Sequence, residues 1–99
     1  MTEPDSNRAK TARAIAMIVN KRGLHARASA KFVETVARFS CEVSVTKGEN
    51  TVSGRSIMGL MMLGASMGST IELTAEGPEA EAALAALLTL IAARFQEDV

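Results

Sequence analysis

The chain has 99 residues, and its eleven basic and eleven acidic side chains cancel to a formal net charge of zero. This length fits one domain with a core of modest size. A neutral chain with three phenylalanines and no tryptophan or tyrosine lacks the basic face and stacking rings of nucleic-acid-binding proteins, so no nucleic-acid partner is expected. The single cysteine, Cys41, excludes an internal disulfide and favours a reducing, cytoplasmic location.

The amino-terminal dozen residues are polar and do not resemble a signal peptide. The apolar runs elsewhere are broken by Gly, Ser and Thr well short of a membrane span, so no membrane insertion is expected. We interpret residues 1–12 as a flexible tail and residues 13–99 as the folded domain.

A strand is predicted over 13–20, where apolar residues occupy both faces, so alternation cannot tell which face meets the core. Gly23 then suits a turn with a positive backbone dihedral. Apolar residues recur at three- and four-residue spacing over 26–39, which predicts a helix. Clean alternation over 41–46 predicts a half-buried strand, and a turn leads to a short return strand at 51–53.

A short second helix is predicted over 57–63, between a capping serine, Ser56, and Gly64. Alternation over 70–75 predicts the last strand. The final helix is expected to have Pro78 in its first turn and Arg94 near its end. Its predicted apolar stripe consists of Ala80, Ala83, Leu84, Leu87, Leu88, Ile91 and Phe95. The order βαββαβα favours an α+β fold, with an antiparallel sheet and its helices on one face.

His25, the only histidine, lies where the strand-like run ends and the helix-like run begins. The first backbone N–H groups of a helix, here those of Ala26, Arg27 and Ala28, lack intrahelical partners and attract an anion. The same field disfavours a charged imidazolium, so a neutral ring with a nucleophilic lone pair is expected. The Arg27 guanidinium can pair with phosphate oxygens. We therefore predict that His25 carries a phosphoryl group.

Simpler interpretations of His25 exist, because a lone histidine beside a turn is often only a surface or capping residue. A metal site is disfavoured, since there is no second histidine and Cys41 is isolated. No cofactor is expected. The sequence has no nucleotide-binding glycine-rich loop, no evident carboxylate pair near His25 and no serine in a nucleophile elbow. It suits a protein that accepts and passes on a small anionic group.

The short second helix is apolar all round, and a surface helix cannot bury every side of itself. We expect Ile57, Leu60 and Met61 to face inward and Met58 and Met62 to stay exposed. Exposed methionine suits a surface that docks several partners, although ordinary core packing explains the run almost as well. Ser56 needs no function beyond capping, but a phosphate there would place negative charge beside the docking run.

The stretch Gly23-Leu24-His25-Ala26-Arg27, followed by Lys31-Phe32-Val33, resembles the active-site stretch of HPr. HPr is the histidine phosphocarrier family of the bacterial phosphoenolpyruvate-dependent phosphotransferase system. The run Ser56 to Gly64 resembles that family's second signature, around a regulatory serine. The resemblance covers about residues 14 to 96. The segments 20–23 and 31–39 are most similar to the nitrogen-related branch and to alphaproteobacterial members.

This resemblance implies an open-faced β-sandwich with strand order 1-4-2-3 and three helices on one face. It implies that enzyme I phosphorylates His25 on Nδ1 using phosphoenolpyruvate, that Arg27 stabilises the group, and that an EIIA-type domain accepts it. Ser56 matches the position that an HPr kinase/phosphorylase modifies in some bacteria. The expected docking residues are Leu24, Ile57, Met58, Leu60, Met61 and Met62. A cytoplasmic monomer that is not itself an enzyme is expected, serving either sugar uptake or nitrogen and carbon regulation.

The sequence departs from the family pattern directly after Arg27, where Ala28 replaces the usual proline. Proline would stiffen the first helical turn, whereas alanine restores an N–H group and allows more fraying. Arg22 adds a positive charge near the ring, and we expect it to favour the phosphorylated state. The alternative function is a regulatory adaptor, whose partner is chosen by phosphorylation of Ser56 and for which transfer at His25 is secondary.

Overall fold

The computed structural model describes residues 10–99, in which four antiparallel strands form one sheet in the order β1-β4-β2-β3. The elements are β1 (Thr11–Met17), α1 (Ala26–Val36), β2 (Glu42–Lys47), β3 (Asn50–Ser53), α2 (Ile57–Met62), β4 (Thr70–Glu76) and α3 (Ala80–Ala92), followed by a 3-10 turn (Arg94–Gln96). The predicted α+β fold, its element order and its strand order are confirmed.

Strand β1 turns its small side chains towards the helices and its large ones towards solvent. Ala16 is buried, whereas Ile15 is 73% and Met17 55% exposed. Alanines on the inner face let α3 pack closely against β1. This arrangement settles the question that alternation left open, and it leaves an apolar strip on an edge strand.

The first strand begins before the predicted domain boundary. Thr11 and Ala12 pair with β4 rather than belonging to a tail, and the Lys10 carbonyl accepts a hydrogen bond from the Gly77 N–H at 2.8 Å. Backbone pairing fixes this segment although its side chains are mostly polar or small, so composition alone misplaces the boundary. Residues 1–9 of the predicted tail lie outside the described residues.

Two helices have different limits from those predicted. Helix α1 ends at Val36, because the N–H groups of Arg38 and Phe39 bond three residues back and tighten the chain into a turn. Pro78 precedes α3 rather than lying in its first turn, since Glu79 is the N-cap. The Glu79 carboxylate instead accepts a hydrogen bond from the Ser40 N–H at 2.7 Å.

The chain after α3 reverses direction through three successive residues in the left-handed region. Arg94, Phe95 and Gln96 have φ values of 58°, 54° and 65°, and Phe95 is fully buried. Phe95 therefore fills the core from this turn rather than from the helical stripe in which the sequence placed it. Burial of an aromatic side chain offsets the cost of the left-handed backbone. Residues 97–99 are consequently directed back towards the loop between β1 and α1.

Candidate functional site

The loop between β1 and α1 is a tight turn that presents His25. Gly23 adopts a φ of 66°, and its N–H donates to the Asn20 carbonyl at 3.2 Å. The buried Asn20 side chain donates through Nδ2 to the Gly23 carbonyl at 2.9 Å, and the Leu24 N–H donates to the Ala65 carbonyl at 3.0 Å. These bonds fix the backbone on both sides of the turn, so His25 enters the helix in a defined orientation.

His25 occupies the N-cap of α1, as predicted from its place between the two runs. Its backbone is extended (φ −75°, ψ −177°), and its Nδ1 accepts a hydrogen bond from the Arg27 N–H at 3.3 Å. The first intrahelical bond runs from the Ser29 N–H to the His25 carbonyl at 2.9 Å. The N–H groups of Ala26, Arg27 and Ala28 therefore lie in the first turn beside the ring. Ala28 is fully buried and α1 begins regularly without a proline.

A carboxylate that sequence reasoning missed completes the site. Glu97 Oε2 contacts His25 Nε2, and Glu97 Oε1 accepts a hydrogen bond from Asn20 Nδ2 at 3.1 Å. The His25 and Glu97 side chains are only 17% and 14% exposed. No spacing rule could have found this contact, because the two residues are 72 positions apart and the turn at Phe95 brings them together.

Glu97 is held in its ionised form. Burial alone would raise the pKa of this carboxyl, but the hydrogen bonds from His25 and Asn20, together with the positive charge of Arg22, oppose that rise and leave the pKa lowered. A lowered pKa contributes stability above the ordinary glutamate range. That contribution is lost as the pH falls through the lowered value. Glu97 is therefore a carboxylate at neutral pH.

These contacts define which ring nitrogen is free. A backbone N–H can only donate, so Nδ1 must be the acceptor towards Arg27. An ionised Glu97 can only accept, so Nε2 carries the proton. The Nδ1 bond is long, and a weak bond is readily exchanged for another partner. In a neutral ring with these partners, Nδ1 is the nitrogen that carries the lone pair.

Positive side chains surround one side of the ring. A cavity beside His25 is lined by Arg22, Arg27 and Lys31 and, on the other side, by residues 96–99. Lys31 Nζ donates to the Phe95 carbonyl at 2.8 Å. Neither arginine forms an ion pair with another described residue. Both guanidinium groups are therefore available to an anion bound at the ring.

A second cavity joins His25 to α2. It is lined by Arg22, Leu24, His25, Met61, Gly64, Ala65 and Ser66. Four apolar side chains of α2 are exposed by 40–78%, and we call them the α2 apolar surface: Ile57, Met58, Met61 and Met62. Met61 lies at its border with the ring, so the surface and His25 share one side of the molecule.

The expected docking set changes in two ways. Leu24 and Leu60 are buried, at 5% and 0% exposure, so they pack in the core beneath the α2 apolar surface and cannot contact a partner. The expectation that Ile57 and Met61 face inward is wrong, because their side chains are 41% and 40% exposed. A helix of six residues packs only one side chain, Leu60, fully into the core, and the others remain at the surface.

Ser56 caps α2, as its position before the apolar run predicts. Its Oγ accepts a hydrogen bond from the Gly59 N–H at 2.9 Å, and the side chain is partly accessible. No cluster of three or more potential metal ligands occurs within residues 10–99. Over the same part of the chain, every helix is too short or too polar to cross a membrane.

Comparison with known proteins gives one consistent result. Residues 12–93 match the family model described as "PTS HPr component phosphorylation site". The chain is 52% identical to the phosphocarrier protein HPr of Neisseria meningitidis over 80 residues, which cover 81% of this chain and 90% of that protein. It is 44% identical to the phosphocarrier protein NPr of Shewanella violacea over 80 residues, covering 81% and 88% of the two.

The fold comparison agrees with the sequence comparison. A crystal structure of HPr from Thermoanaerobacter tengcongensis superimposes with a TM-score of 0.85 at 43% identity, covering 89% of this chain and 99% of that one. An HPr structure from Bacillus anthracis gives a TM-score of 0.78 at 38% identity, covering 82% and 96%. The similarity thus extends over the sheet, the helices and the loop that holds the histidine.

Proposed function

Since this chain belongs to the HPr family of phosphocarrier proteins, we propose that His25 is its phosphoryl-carrying residue and that Nδ1 forms the bond to phosphorus. A member of this family is a carrier and not a catalyst with a substrate of its own. The observation that carries the proposal is the state of the ring. Nε2 is bound to Glu97, whereas Nδ1 accepts only a long hydrogen bond from the Arg27 N–H at the start of α1.

The step at Nδ1 is a displacement at phosphorus. The Nδ1 lone pair attacks the phosphoryl group, the bond between phosphorus and the donor breaks, and its electron pair leaves with the donor. The incoming oxygens meet the first N–H groups of α1 and the guanidinium groups of Arg22 and Arg27. These groups are already in place before the reaction, so little reorganisation is required.

We propose that the donor is enzyme I, charged by phosphoenolpyruvate, and that an EIIA-type domain is the acceptor, in the cytoplasm. The α2 apolar surface supports this, because it lies beside His25 and both partners must approach the same nitrogen. Monomeric behaviour in solution stays a prediction. The exposed Ile15 and Met17 of edge strand β1 are the residues through which a weak dimer would form.

The test is to incubate the protein with phosphoenolpyruvate and enzyme I and to measure its intact mass. We expect the mass of one phosphoryl group to be gained, and we expect it to be lost in acid, as a phosphoramidate is. A His25→Ala variant should gain nothing. If the wild-type protein gains no phosphoryl group from a cognate enzyme I, the carrier proposal is wrong. The regulatory adaptor would then replace it, because partner binding by an adaptor should survive His25→Ala.

Arg22→Ala is expected to shorten the lifetime of the phosphorylated ring and to slow transfer by about two- to fivefold, the size of one exposed charge interaction. Arg22 lines both cavities at His25, so its charge lies close to the phosphoryl oxygens. Arg13→Ala removes an equal charge from the exposed side of β1 and is the matched control. Equal lifetimes and transfer rates in Arg22→Ala and the wild-type protein would contradict the assignment.

Ser56→Asp is expected to weaken binding of enzyme I and of the acceptor, because it places a negative charge beside Ile57 and Met58. We propose that phosphorylation of Ser56 acts in this way. Ser56→Asn is the control, since asparagine caps a helix as well as aspartate but adds no charge. Titration calorimetry should show weaker binding for the aspartate variant only. Equal weakening by both substitutions would point to loss of the cap instead.

A further inference from the structure

The carboxyl-terminal segment is built into the site through several independent contacts. Phe95 is fully buried, Lys31 Nζ donates to the Phe95 carbonyl at 2.8 Å, and the Lys21 N–H donates to the Val99 carbonyl at 3.3 Å. Between these anchors Glu97 uses both carboxylate oxygens, one on His25 and one on Asn20. These contacts hold the Glu97 carboxylate against the His25 ring.

Asn20, in the loop before α1, also holds the Glu97 carboxylate in place. It is fully buried, and its Nδ2 bridges the Gly23 carbonyl at 2.9 Å and Glu97 at 3.1 Å. Its Oδ1 has no hydrogen-bond partner among the described residues. Burial of this unpartnered oxygen costs stability, and the two hydrogen bonds donated by Nδ2 oppose that cost. Asn20 thus acts as a support that orients the carboxylate towards the ring.

We propose that Glu97 is a positioning residue for His25: it holds the ring in the tautomer with the proton on Nε2 and stabilises the charge that the ring gains with the phosphoryl group. The first role concerns the free protein and stands alone. The second rests on the proposed carrier function. Asn20, Glu97 and His25 then form a chain in which each member orients the next.

The charge balance of the step explains the second role. A neutral ring that attacks through Nδ1 keeps its proton on Nε2, so no proton leaves and the ring becomes positively charged. That charge faces Glu97, while the phosphoryl oxygens face Arg22, Arg27 and the helix start. When the phosphoryl group leaves with the acceptor, the Nδ1 bond breaks, its electron pair returns to the ring and the ring is neutral again. Glu97 is thus a carboxylate partner in both directions.

The remaining charges around the ring do not supply this partner. Arg22, Arg27 and Lys31 are cations on the β1–α1 loop and α1. Asp98 also lines the cavity, but it forms no hydrogen bond or ion pair within residues 10–99. Among the described acidic side chains, Glu97 alone contacts the ring. Asp98, the adjacent acidic residue, therefore provides an internal control for charge.

The experiment uses three variants of the full chain. The ring tautomer is read from the nitrogen-15 shifts of His25 in the unphosphorylated protein, and phosphoryl transfer is followed with enzyme I and an acceptor. Glu97→Ala removes the contact, Glu97→Gln keeps an acceptor oxygen without the charge, and Asp98→Asn removes a neighbouring charge. Denaturation of each variant shows that it is folded under the conditions used.

We expect Glu97→Ala to populate both tautomers, Glu97→Gln to retain the Nε2–H form, and Asp98→Asn to resemble the wild-type protein. Transfer should slow by about three- to tenfold in both Glu97 variants, as for the loss of one charged hydrogen bond. An unchanged tautomer in Glu97→Ala overturns the positioning role. Wild-type transfer rates in Glu97→Gln overturn the charge role. A wild-type protein that takes up no phosphoryl group, with a tautomer that still changes in Glu97→Ala, refutes the carrier function and leaves the positioning role supported.

Discussion

Gly23→Ala is expected to destabilise the protein by about 2–5 kcal/mol and to displace His25. The substitution has two costs. A residue with a Cβ at a φ of 66° costs about 1–2 kcal/mol. The new Cβ would also lie 2.4 Å from the Ala65 carbonyl oxygen and 2.9 Å from Ser66 Cα, and backbone atoms cannot move aside as a side chain can. Forcing such a shift adds about 1–3 kcal/mol.

Gly48→Ala separates the two costs. Gly48 has a φ of 61° in the turn between β2 and β3, and a Cβ there would meet no atom within 4 Å. Gly48→Ala should therefore lose only the stability that corresponds to the left-handed backbone, about 1–2 kcal/mol. The comparison is made by chemical denaturation of both variants, and phosphoryl acceptance is measured on the folded proteins. Equal losses of stability in the two variants would contradict the predicted clash between the new Cβ at position 23 and the Ala65 carbonyl.

The effect on function follows from the hydrogen bond beside the clash. The Ala65 carbonyl that the new Cβ would strike is the acceptor for the Leu24 N–H at 3.0 Å. Displacing that carbonyl moves Leu24 and hence the N-cap His25, which then loses its alignment with the Arg27 N–H. We expect slower phosphoryl acceptance in Gly23→Ala and none of this effect in Gly48→Ala.

The part of the site that could be predicted from sequence is the part built by local rules. Gly23 before the helix, His25 at its start and Ser56 before the second helix each obey a preference that acts within a few residues. The positions of these residues were predicted for that reason. Their chemistry remains a proposal, since position and function are separate questions.

The part that could not be predicted depends on distant contacts. Glu97 reaches His25 only because a left-handed turn follows α3, and Arg94, Phe95 and Gln96 are not residues that signal such a turn. Phe95 lies fully buried in this turn, and its burial depends on packing within the whole core rather than on neighbouring residues. The exposure of Ile57 and Met61 was missed for a related reason, because a six-residue helix that is apolar all round has no periodicity to show its buried side.

Phe95→Ala is expected to destabilise the protein by about 3–5 kcal/mol and, in the molecules that remain folded, to release Glu97 from His25. Phe95 is fully buried, so its removal loses the transfer free energy of the ring and leaves a cavity. Its burial is also what opposes the cost of the left-handed turn. Without the buried Phe95 ring, the folded-back conformation of segment 94–99 is less stable. We therefore expect the contact between Glu97 and His25 Nε2 to be lost.

Leu73→Ala is the matched control for this prediction. Leu73 is equally buried in the middle of β4 and should cost about 2–5 kcal/mol, but it makes no part of the turn. Denaturation measures the stability of both variants, and nitrogen-15 shifts of His25 report the ring. We expect both tautomers in Phe95→Ala and the Nε2–H form in Leu73→Ala. A milder variant, Phe95→Leu, keeps most of the volume and should retain the contact. If the ring is unchanged in Phe95→Ala, the contact does not depend on the core. Lys31 and Val99 would then be sufficient to hold the segment.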